Sequence, residues 1–243
     1  MIKQATAAAI ERLPQNSEAA VKIRALYEAY GIERSFLRLY EAGASCIALF
    51  EGTALAAILP TEYEETAAFL HMTPDIHSIR TTAEYAAYIA SSWKTEATQG
   101  ITMTTQSPMK SPIIATLAPP LKAVYGTLCM VFPEQLAAFD VWYADTHHRQ
   151  RHNLLRVAAV LDNDVVAACA LTTAETPQAV LIGGVATLPT YRGRGYAHAC
   201  VAALTNQAHA SQQRVLISPK HDGVVGLYEH WGFTKWGDWG QIQ

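Results

Sequence analysis

The sequence predicts an α/β protein of the α+β type, in which two modules each combine a mixed sheet with flanking helices. Three observations support this prediction. Short apolar segments alternate with segments of helical spacing, turn residues separate them, and the two halves share a faint internal echo. The chain has 243 residues, which is long for one compact domain and sufficient for two small ones. We therefore expect domains over residues 1–115 and 121–243.

The first half should begin with a helix and continue with a group of strands. Ser17 is a suitable N-cap, and Gly31 is a suitable residue to end the helix. Turn residues at 44–45 and 51–52 divide the apolar sequence that follows. The predicted elements are the helix Ser17–Tyr30, the strands Phe36–Glu41, Cys46–Phe50, Ala54–Leu59 and Thr66–Met72, and the helix Thr81–Trp93.

The second half should follow a linker within Thr95–Pro120, a stretch rich in Thr, Ser, Pro and Gln. Pro133 is typical of a first helical turn, and the polar residues 162–164 are typical of a hairpin. The predicted elements are the strand Leu121–Phe132, the helix Pro133–His148, a hairpin of Leu154–Leu161 and Val165–Thr173, the strand Ala179–Thr187, the helix Gly195–Ser211, the strand Val215–Ser218, the helix Gly223–Trp231 and the strand Thr234–Ile242.

The internal echo appears at one ungapped offset, 111 residues, which aligns Phe50 with Leu161. The same offset aligns residues 68–70 with 179–181, and the helix near residue 82 with the helix near residue 193. Three matched elements suggest a duplication, although alanine-rich strands also match by chance. The first copy has no glycine between Met72 and Glu84, so it is not expected to bind phosphate.

Composition and charge exclude several classes of protein. Half of the residues are hydrophobic, 16% are charged and the net charge is -3, which favours a globular protein without affinity for bulk nucleic acid. No apolar run approaches the roughly 18 residues of a membrane span. The four cysteines form no CxxC pair, so we expect buried thiols in a cytoplasmic protein and no metal site.

A glycine turn after the strand Ala179–Thr187 is the strongest chemical signal in the sequence. A strand that leads through glycines into a helix directs free backbone N–H groups at one point, and the helix adds roughly half a positive charge there. Gly193 and Gly195 allow a phosphate to approach the backbone, while Arg192 and Arg194 add charge. The spacing fits neither GxxxxGK[ST] nor GxGxxG, so this turn is not a nucleotide loop of those types.

The turn fits Arg-x-x-Gly-x-Ala from Arg192 to Ala197, and it resembles motif A of the GNAT-type N-acetyltransferase superfamily. A second segment, Leu227–Phe233, resembles the LYxxxGF segment of the same superfamily, on the short helix after the fifth strand. The resemblance extends from about Leu121 to the C-terminus. The first half resembles, in layout only, the degenerate half of tandem acetyltransferases such as the mycothiol synthase type.

The resemblance implies acetyl-CoA as co-substrate and gives roles to individual residues. Tyr228 would protonate the leaving thiolate, since a tyrosine of ordinary pKa near 10 can donate to a thiolate of similar basicity. The alternative is a core tyrosine whose hydroxyl meets a backbone group. The backbone of the preceding strand would pair with the pantetheine arm through Val185, Ala186 and Thr187, and the pyrophosphate would bind at Arg192, Gly193, Arg194, Gly195, Tyr196 and Ala197.

Two departures from the family pattern matter for function. The strand over 178–187 holds no carboxylate to act as base, and the base candidates elsewhere, each with a plain surface role as the alternative, are Asp145, His147, His148, Glu175, Glu62 and Glu64. After Phe233 only one strand can form, so the first half or a second subunit of a homodimer should cover the open edge.

The expected activity is therefore transfer of an acetyl group to an amine, on a small molecule or a peptide, within a ternary complex. A non-catalytic acyl-CoA-binding or sensing protein is the alternative. The missing carboxylate slightly favours the alternative, whereas Tyr228 favours catalysis. The first half should complete the sheet and form a wall of the acceptor pocket, for which the aromatic residues Tyr85, Tyr88 and Trp93 are candidates if they are not core residues.

Overall fold

The computed structural model describes residues 1–134 and 136–243. The described chain contains eleven strands and eight α-helices. In chain order they are β1 (Lys3–Gln4), α1 (Ala7–Arg12), α2 (Glu18–Tyr30), β2 (Leu37–Ala42), β3 (Ser45–Phe50), β4 (Thr53–Ala57), α3 (Tyr63–Met72), β5 (Ser78–Thr81), α4 (Ala83–Trp93), β6 (Ala97–Thr105), α5 (Leu121–Val131), α6 (Phe139–Arg151), β7 (Val157–Asp162), β8 (Val165–Glu175), β9 (Ala179–Thr187), α7 (Tyr196–Ala210), β10 (Arg214–Ile217), α8 (Asp222–His230) and β11 (Thr234–Ile242).

The chain divides into two compact units. The first consists of Met1–Met103, Pro219–Asp222 and Lys235–Gln243, and the second of Thr104–Ser218 and Gly223–Thr234. Each unit combines strands of mixed direction with helices, so the predicted fold class is confirmed. The domain limits expected from the sequence, 1–115 and 121–243, concern the two sequence copies and stay a prediction.

The sheet of the first unit has the strand order β1-β2-β3-β4-β5-β11-β6. Strands β2, β3 and β4 are antiparallel neighbours, and β5 is parallel to β4 because α3 carries the chain back between them. The last strand, β11, is antiparallel to β5, with Gly240 opposite Thr81. Its other neighbour is β6. The expectation that the first half covers the open edge of the closing strand is therefore confirmed.

A buried ion-pair network accompanies the core of the first unit. The Glu18 carboxylate contacts Lys22 at 2.6 Å and Arg80 at 2.9 Å, and it accepts a hydrogen bond from Thr102. The Arg80 guanidinium also lies 3.4 Å from the centre of the Trp239 ring. Burial alone raises the pKa of Glu18, but the two cations outweigh it and hold the pKa well below its ordinary value.

The second unit repeats the strand order of the first. Strands β7, β8 and β9 are antiparallel neighbours, and β10 is parallel to β9 because α7 lies between them in the chain. Helix α5 packs Val124 and Leu128 onto the sheet in a cluster with Val157, Val166 and Leu171. Helix α7 buries a second apolar face, which includes Cys200, Val201 and Leu204.

Two predicted strands are helices in the structure. Leu121–Phe132 forms α5, and Thr66–Met72 lies within α3. Both segments are apolar enough for either element, but their buried residues recur at helical spacing: Val124, Thr127 and Leu128 in α5, and Thr66, Ala67 and Leu70 in α3.

The expected linker and the following helix also differ from the prediction. Residues 97–105, inside the expected linker, form β6, whose Thr102 and Met103 are buried. The helix predicted over Pro133–His148 begins only at Phe139, because the chain follows a turn after Pro133, and it continues to Arg151. Gln135, within that predicted helix, lies outside the described residues.

The structure supports two copies, but the register of the internal echo is wrong. In the strand order, β4 corresponds to β9, α3 to α7 and β5 to β10. Pro60 therefore corresponds to Pro189, since each opens a short 3-10 turn that follows the corresponding strand. The echo instead aligned residues 68–70, which are helical, with the strand at 179–181.

Among the described residues, no helix is long and apolar enough to cross a membrane.

Candidate functional site

Strand β9 continues beyond its partner β10. The parallel pairing of these strands ends at Ile182, which lies opposite Ile217. The remaining residues, Gly183–Thr187, stay paired with β8 on their other side. This end of β9 therefore has one backbone edge that β10 does not cover, as expected for the strand that would pair with an extended arm.

A bulge marks the place where β9 departs from β10. The register with β8 shifts between Ala186 and Gly183, so β9 carries one extra residue there. Gly184 has a φ of +56°, and a Cβ atom at this position would lie 2.6 Å from Leu171 Cδ1. Glycine satisfies both constraints without strain or a shift of Leu171. The glycine pair at 183–184 is a signal that the sequence analysis did not use.

The glycine turn connects β9 to the first turn of α7. The 3-10 turn Pro189–Tyr191 follows the strand, and Gly195 is the N-cap residue of α7, with a φ of +79°. Because no side chain caps this helix, its first N–H groups remain available. Gly193 has a φ of +75°, and a Cβ atom at this position would have no other atom within 4 Å. The turn is therefore open enough to admit a phosphate at the helix N-terminus.

The two arginines of the turn are exposed, and each is held by a backbone carbonyl. Arg192 Nε donates to Thr187 O at 3.4 Å, and Arg194 Nη2 donates to Thr190 O at 3.2 Å. Arg194 also lies 5.3 Å from the Tyr191 ring centre and 3.8 Å from the Asp162 carboxylate. Asp162 thus offsets part of the charge of Arg194, and Arg192 has no ion pair within the described part of the chain.

Tyr228 is buried in α8 with 7% of its surface exposed. Its ring lies 5.3 Å from the Trp231 ring and 5.9 Å from the Phe233 ring. Burial raises its pKa to about 12. Its hydroxyl forms no hydrogen bond with any described residue, backbone groups included.

A chain of aromatic contacts connects Tyr228 with the start of α7. Trp231, which contacts Tyr228, also lies 5.2 Å from the ring of His198, the third residue of α7. Burial lowers the pKa of His198, and the nearby His230 lowers it further. His198 and Trp231 are not predicted from the sequence, because nothing local indicates that these two positions meet.

The base candidates of the second unit are engaged by other groups. The Glu175 carboxylate contacts Arg156 and accepts a hydrogen bond from Thr172 at 2.8 Å. It also lies opposite Val180, near the start of β9, so the length of the strand separates it from the glycine turn. Asp145 pairs with Arg149 at 2.7 Å.

The histidine candidates lie on α6, where His147 stacks on Tyr143 at 5.6 Å and His148 contacts His152 at 4.5 Å. The two remaining candidates, Glu62 and Glu64, belong to the first unit. Of all these groups, none is identified as a base by its surroundings.

Metal ligation has no support in residues 1–134 and 136–243, where no group of three or more His, Cys, Asp or Glu side chains could hold an ion. The four cysteines are free thiols. Burial raises the pKa of Cys169 and Cys200 to about 12, which keeps both thiols protonated and unreactive.

Residues 121–233 match the family model described as Acetyltransferase (GNAT) family, so this segment is a GNAT acetyltransferase domain. The segment contains the bulged strand, the glycine turn and Tyr228. A comparison with curated proteins found no match.

Solved structures resemble the chain over most of its length. A GCN5-related N-acetyltransferase from Sphaerobacter thermophilus has a TM-score of 0.65 at 16% identity, covering 99% of this chain and 94% of its own. One from Kribbella flavida has a TM-score of 0.62 at 16% identity and covers 92% of each chain. A tandem GNAT protein from the clavulanic acid biosynthesis pathway has a TM-score of 0.56 at 14% identity, with coverages of 96% and 90%. At these identities the likeness shows the fold alone, and it confirms a tandem GNAT-like architecture.

Proposed function

We propose that this protein is an acetyl-CoA-dependent N-acetyltransferase, which transfers the acetyl group to an amine by direct attack within a ternary complex. The observation that carries the proposal is the open glycine turn, at the uncapped N-terminus of α7, directly after the uncovered end of β9. A helix N-terminus with free N–H groups suits a diphosphate, and an uncovered strand edge suits an amide-containing arm. Coenzyme A contains both groups in sequence.

The residues of the second unit would divide the binding of this donor. Arg192, Gly193, Arg194, Gly195, Tyr196 and Ala197 would hold the pyrophosphate, mainly through backbone N–H groups. The backbone of Val185, Ala186 and Thr187 would pair with the pantetheine arm. Arg192 would contribute most of the side-chain charge, because Asp162 offsets part of that of Arg194.

Tyr228 would assist departure of the thiol. When the amine nitrogen attacks the thioester carbonyl, a C–N bond forms, the C–S bond breaks, and its electron pair leaves with sulfur. With its pKa raised to about 12, the hydroxyl stays protonated at neutral pH but is a weaker acid than a thiol, which ordinarily titrates near 8.5. Tyr228 would therefore stabilise the developing thiolate as a hydrogen-bond donor.

The amine must be neutral before it attacks. Since β9 carries no carboxylate, and Asp145 and Glu175 are each paired with an arginine, we assign the amine proton to solvent. With an alkylamine or a lysine side chain as acceptor, kcat/KM for the amine should then rise about tenfold per pH unit below the pKa of the amine itself, near 10. A plateau beginning between pH 6 and 8 would instead reveal a protein base.

Release of free thiol from acetyl-CoA, measured with a panel of small amines and peptides, tests the activity. Turnover with at least one amine supports the proposal. Tight binding of CoA without turnover of any amine would instead indicate a non-catalytic acyl-CoA-binding protein. The missing carboxylate on β9 slightly favours this alternative. The acceptor class, small molecule or peptide, follows from the same panel.

Tyr228→Phe tests the role of the hydroxyl. We expect kcat to fall about 100-fold, since removing one hydrogen-bond donor to a developing charge costs about 10²–10³ in kcat. The KM for acetyl-CoA should change little, because the ring and its contacts remain. An unchanged kcat refutes the role.

A cytoplasmic location completes the proposal, and the four free thiols suit that reducing compartment.

A further inference from the structure

We propose that the first unit contains a second small-molecule site, which takes a zwitterion of about the size of leucine, with one carboxylate, one ammonium and an apolar group. The site is a cavity of about 250 Å³ beside the hairpin of β3 and β4. This volume is below the roughly 300–1,000 Å³ of sites for drug-sized ligands, which suits a small metabolite rather than a nucleotide. The proposal does not depend on the proposed function. The cavity lining includes Phe36, Arg38, Phe50, Glu51 and Asp75.

Charges of both signs line this cavity without contacting each other. Arg38, Glu51 and Asp75 form no ion pair or side-chain hydrogen bond with any described residue. The buried acidic groups of the same unit, Glu18 and Glu41, are paired with cations. Arg38, Glu51 and Asp75, in contrast, are exposed and accessible to a ligand. An arginine and two carboxylates that share a small cavity can each be satisfied by one molecule that carries both charges.

The type of each charge indicates the orientation of the ligand. A guanidinium binds a carboxylate through two parallel hydrogen bonds, so the ligand carboxylate belongs at Arg38. Carboxylates accept hydrogen bonds from an ammonium group, so the ligand nitrogen belongs between Glu51 and Asp75. An anion without an ammonium group, or an amine without a carboxylate, would leave part of this set unpaired.

An aromatic wall supplies the apolar part of the site. Phe36 is half exposed, although its ring lies 5.2 Å from that of Tyr30 and 6.1 Å from that of Phe50. The two neighbouring rings fix its position, which leaves an apolar surface facing solvent at the cavity. A branched aliphatic side chain would cover this surface.

The backbone conformation of the turn indicates that Glu51 does not stabilise it. Glu51 and Gly52 have φ values of 48° and 72°, the left-handed pair of a two-residue hairpin turn. The β7–β8 hairpin of the second unit contains a turn of the same type, with φ values of 49° and 65° at Asn163 and Asp164, which are residue types suited to this geometry. Asparagine at position 51 would suit the turn better, but it would lose the negative charge.

Isothermal titration calorimetry of the full chain, without any CoA compound, tests the proposal with three probes. L-leucine carries both charged groups, 3-methylbutylamine lacks the carboxylate, and 4-methylpentanoate lacks the ammonium group. We expect saturable binding of leucine and at least tenfold weaker binding of both analogues. Absent leucine binding, or equal binding of all three probes, overturns the proposal. Because no acetyl-CoA is present, failure of the proposed acetyltransferase activity leaves this result unaffected.

Three variants connect the binding to the cavity. Arg38→Gln should weaken leucine binding at least tenfold, while the amine analogue binds as before. Glu51→Asn should raise Tm and weaken leucine binding at the same time, a combination that a purely structural role cannot produce. Glu33→Gln, which removes an exposed acid outside the cavity lining, is the matched control and should change neither quantity. A higher Tm with unchanged leucine affinity in Glu51→Asn overturns the proposal.

Discussion

The two units build the same strand–turn–helix connection from residues of opposite charge. In the first unit, Leu59-Pro60-Thr61 leads through Glu62 to the acidic start of α3. In the second, Leu188-Pro189-Thr190 leads through Tyr191 to the Arg192–Gly195 turn before α7. Both prolines open a 3-10 turn, so the backbone plan is common to the two connections.

The difference shows which features serve the fold and which serve binding. Acidic residues in a first helical turn stabilise the helix, and Glu65 in α3 additionally contacts the Met1 ammonium group at 3.0 Å. These carboxylates would repel a phosphate. The second turn lacks such stabilisation, since no side chain caps α7 and two glycines have positive φ. The connection that is less favourable for its helix is the one open to an anion.

The largest expected effect comes from closing the open turn. Gly195→Val places a branched side chain at a φ of +79°, which costs about 1–2 kcal/mol, and its methyl groups occupy the space for a phosphate. We expect the Kd for CoA, measured by titration calorimetry, to rise at least about 100-fold while the protein stays folded. Gly126→Ala is the control, because a Cβ atom at this position in α5 would have no other atom within 4 Å. This variant should bind CoA with an unchanged Kd. Normal CoA binding by Gly195→Val would contradict the assignment of the turn.

The second prediction separates the two buried tyrosines. The Tyr85 hydroxyl lies 2.7 Å from Thr66 Oγ1 in the core of the first unit, whereas that of Tyr228 has no partner among the described residues. Tyr85→Phe should lower the free energy of unfolding by about 1 kcal/mol and leave kcat unchanged. Tyr228→Phe should lower kcat and leave stability unchanged. Urea unfolding and steady-state kinetics measure both quantities, and equal effects of the two variants would refute this division of roles.

Local chemistry explains what the sequence predicted correctly. The turn at Arg192–Gly195 was predictable because positive φ, missing Cβ atoms and the following helix all depend on neighbouring residues. The core position of Tyr85 was one of two alternatives, because its helical spacing is typical of buried aromatic residues. The bulge at Gly184 had a local signal too, the glycine pair within a strand, but its consequence for β10 depends on pairing between distant strands.

Long-range pairing explains what the sequence did not predict. The segment Leu121–Phe132 is apolar enough for a buried strand or a helix, and only packing of Val124 and Leu128 onto the sheet decides between them. The placement of β11 between β5 and β6 depends on partners more than a hundred residues away. The register of the repeat was wrong because alanine-rich strands match at several offsets. Pro60 and Pro189 do correspond, but a single pair of prolines is too weak a signal to fix the alignment.

A third prediction exchanges charge between the two connections. Arg192→Glu gives the second turn the residue type of Glu62, and it should raise the Kd for CoA about tenfold at low ionic strength. The effect should shrink in about 1 M salt, where the Debye length falls to about 3 Å. Glu62→Arg should not create CoA binding by the first unit, because that turn has no glycine. Its effect is checked in a Gly195→Val background, where CoA binding tighter than that of Gly195→Val alone would contradict this view.

The smallest expected effect is a loss of stability at alkaline pH that both units share. Burial raises the pKa of Tyr85 and of Tyr228 to about 12, against about 10 for tyrosine in an unfolded chain. A group whose pKa is raised by folding contributes stability that is fully present below pH 10 and is lost as pH rises through 12. Thermal unfolding between pH 8 and 12 should therefore contain a tyrosine contribution that is constant to about pH 10 and declines above it, in addition to the decline that the buried thiols Cys169 and Cys200 begin near pH 9. Compared with the unsubstituted protein, Tyr85→Phe and Tyr228→Phe should each make the decline above pH 10 shallower by a similar amount, because each removes one tyrosine titration and leaves the thiols unchanged. A decline that neither substitution changes would mean that these hydroxyls already reach solvent in the folded protein.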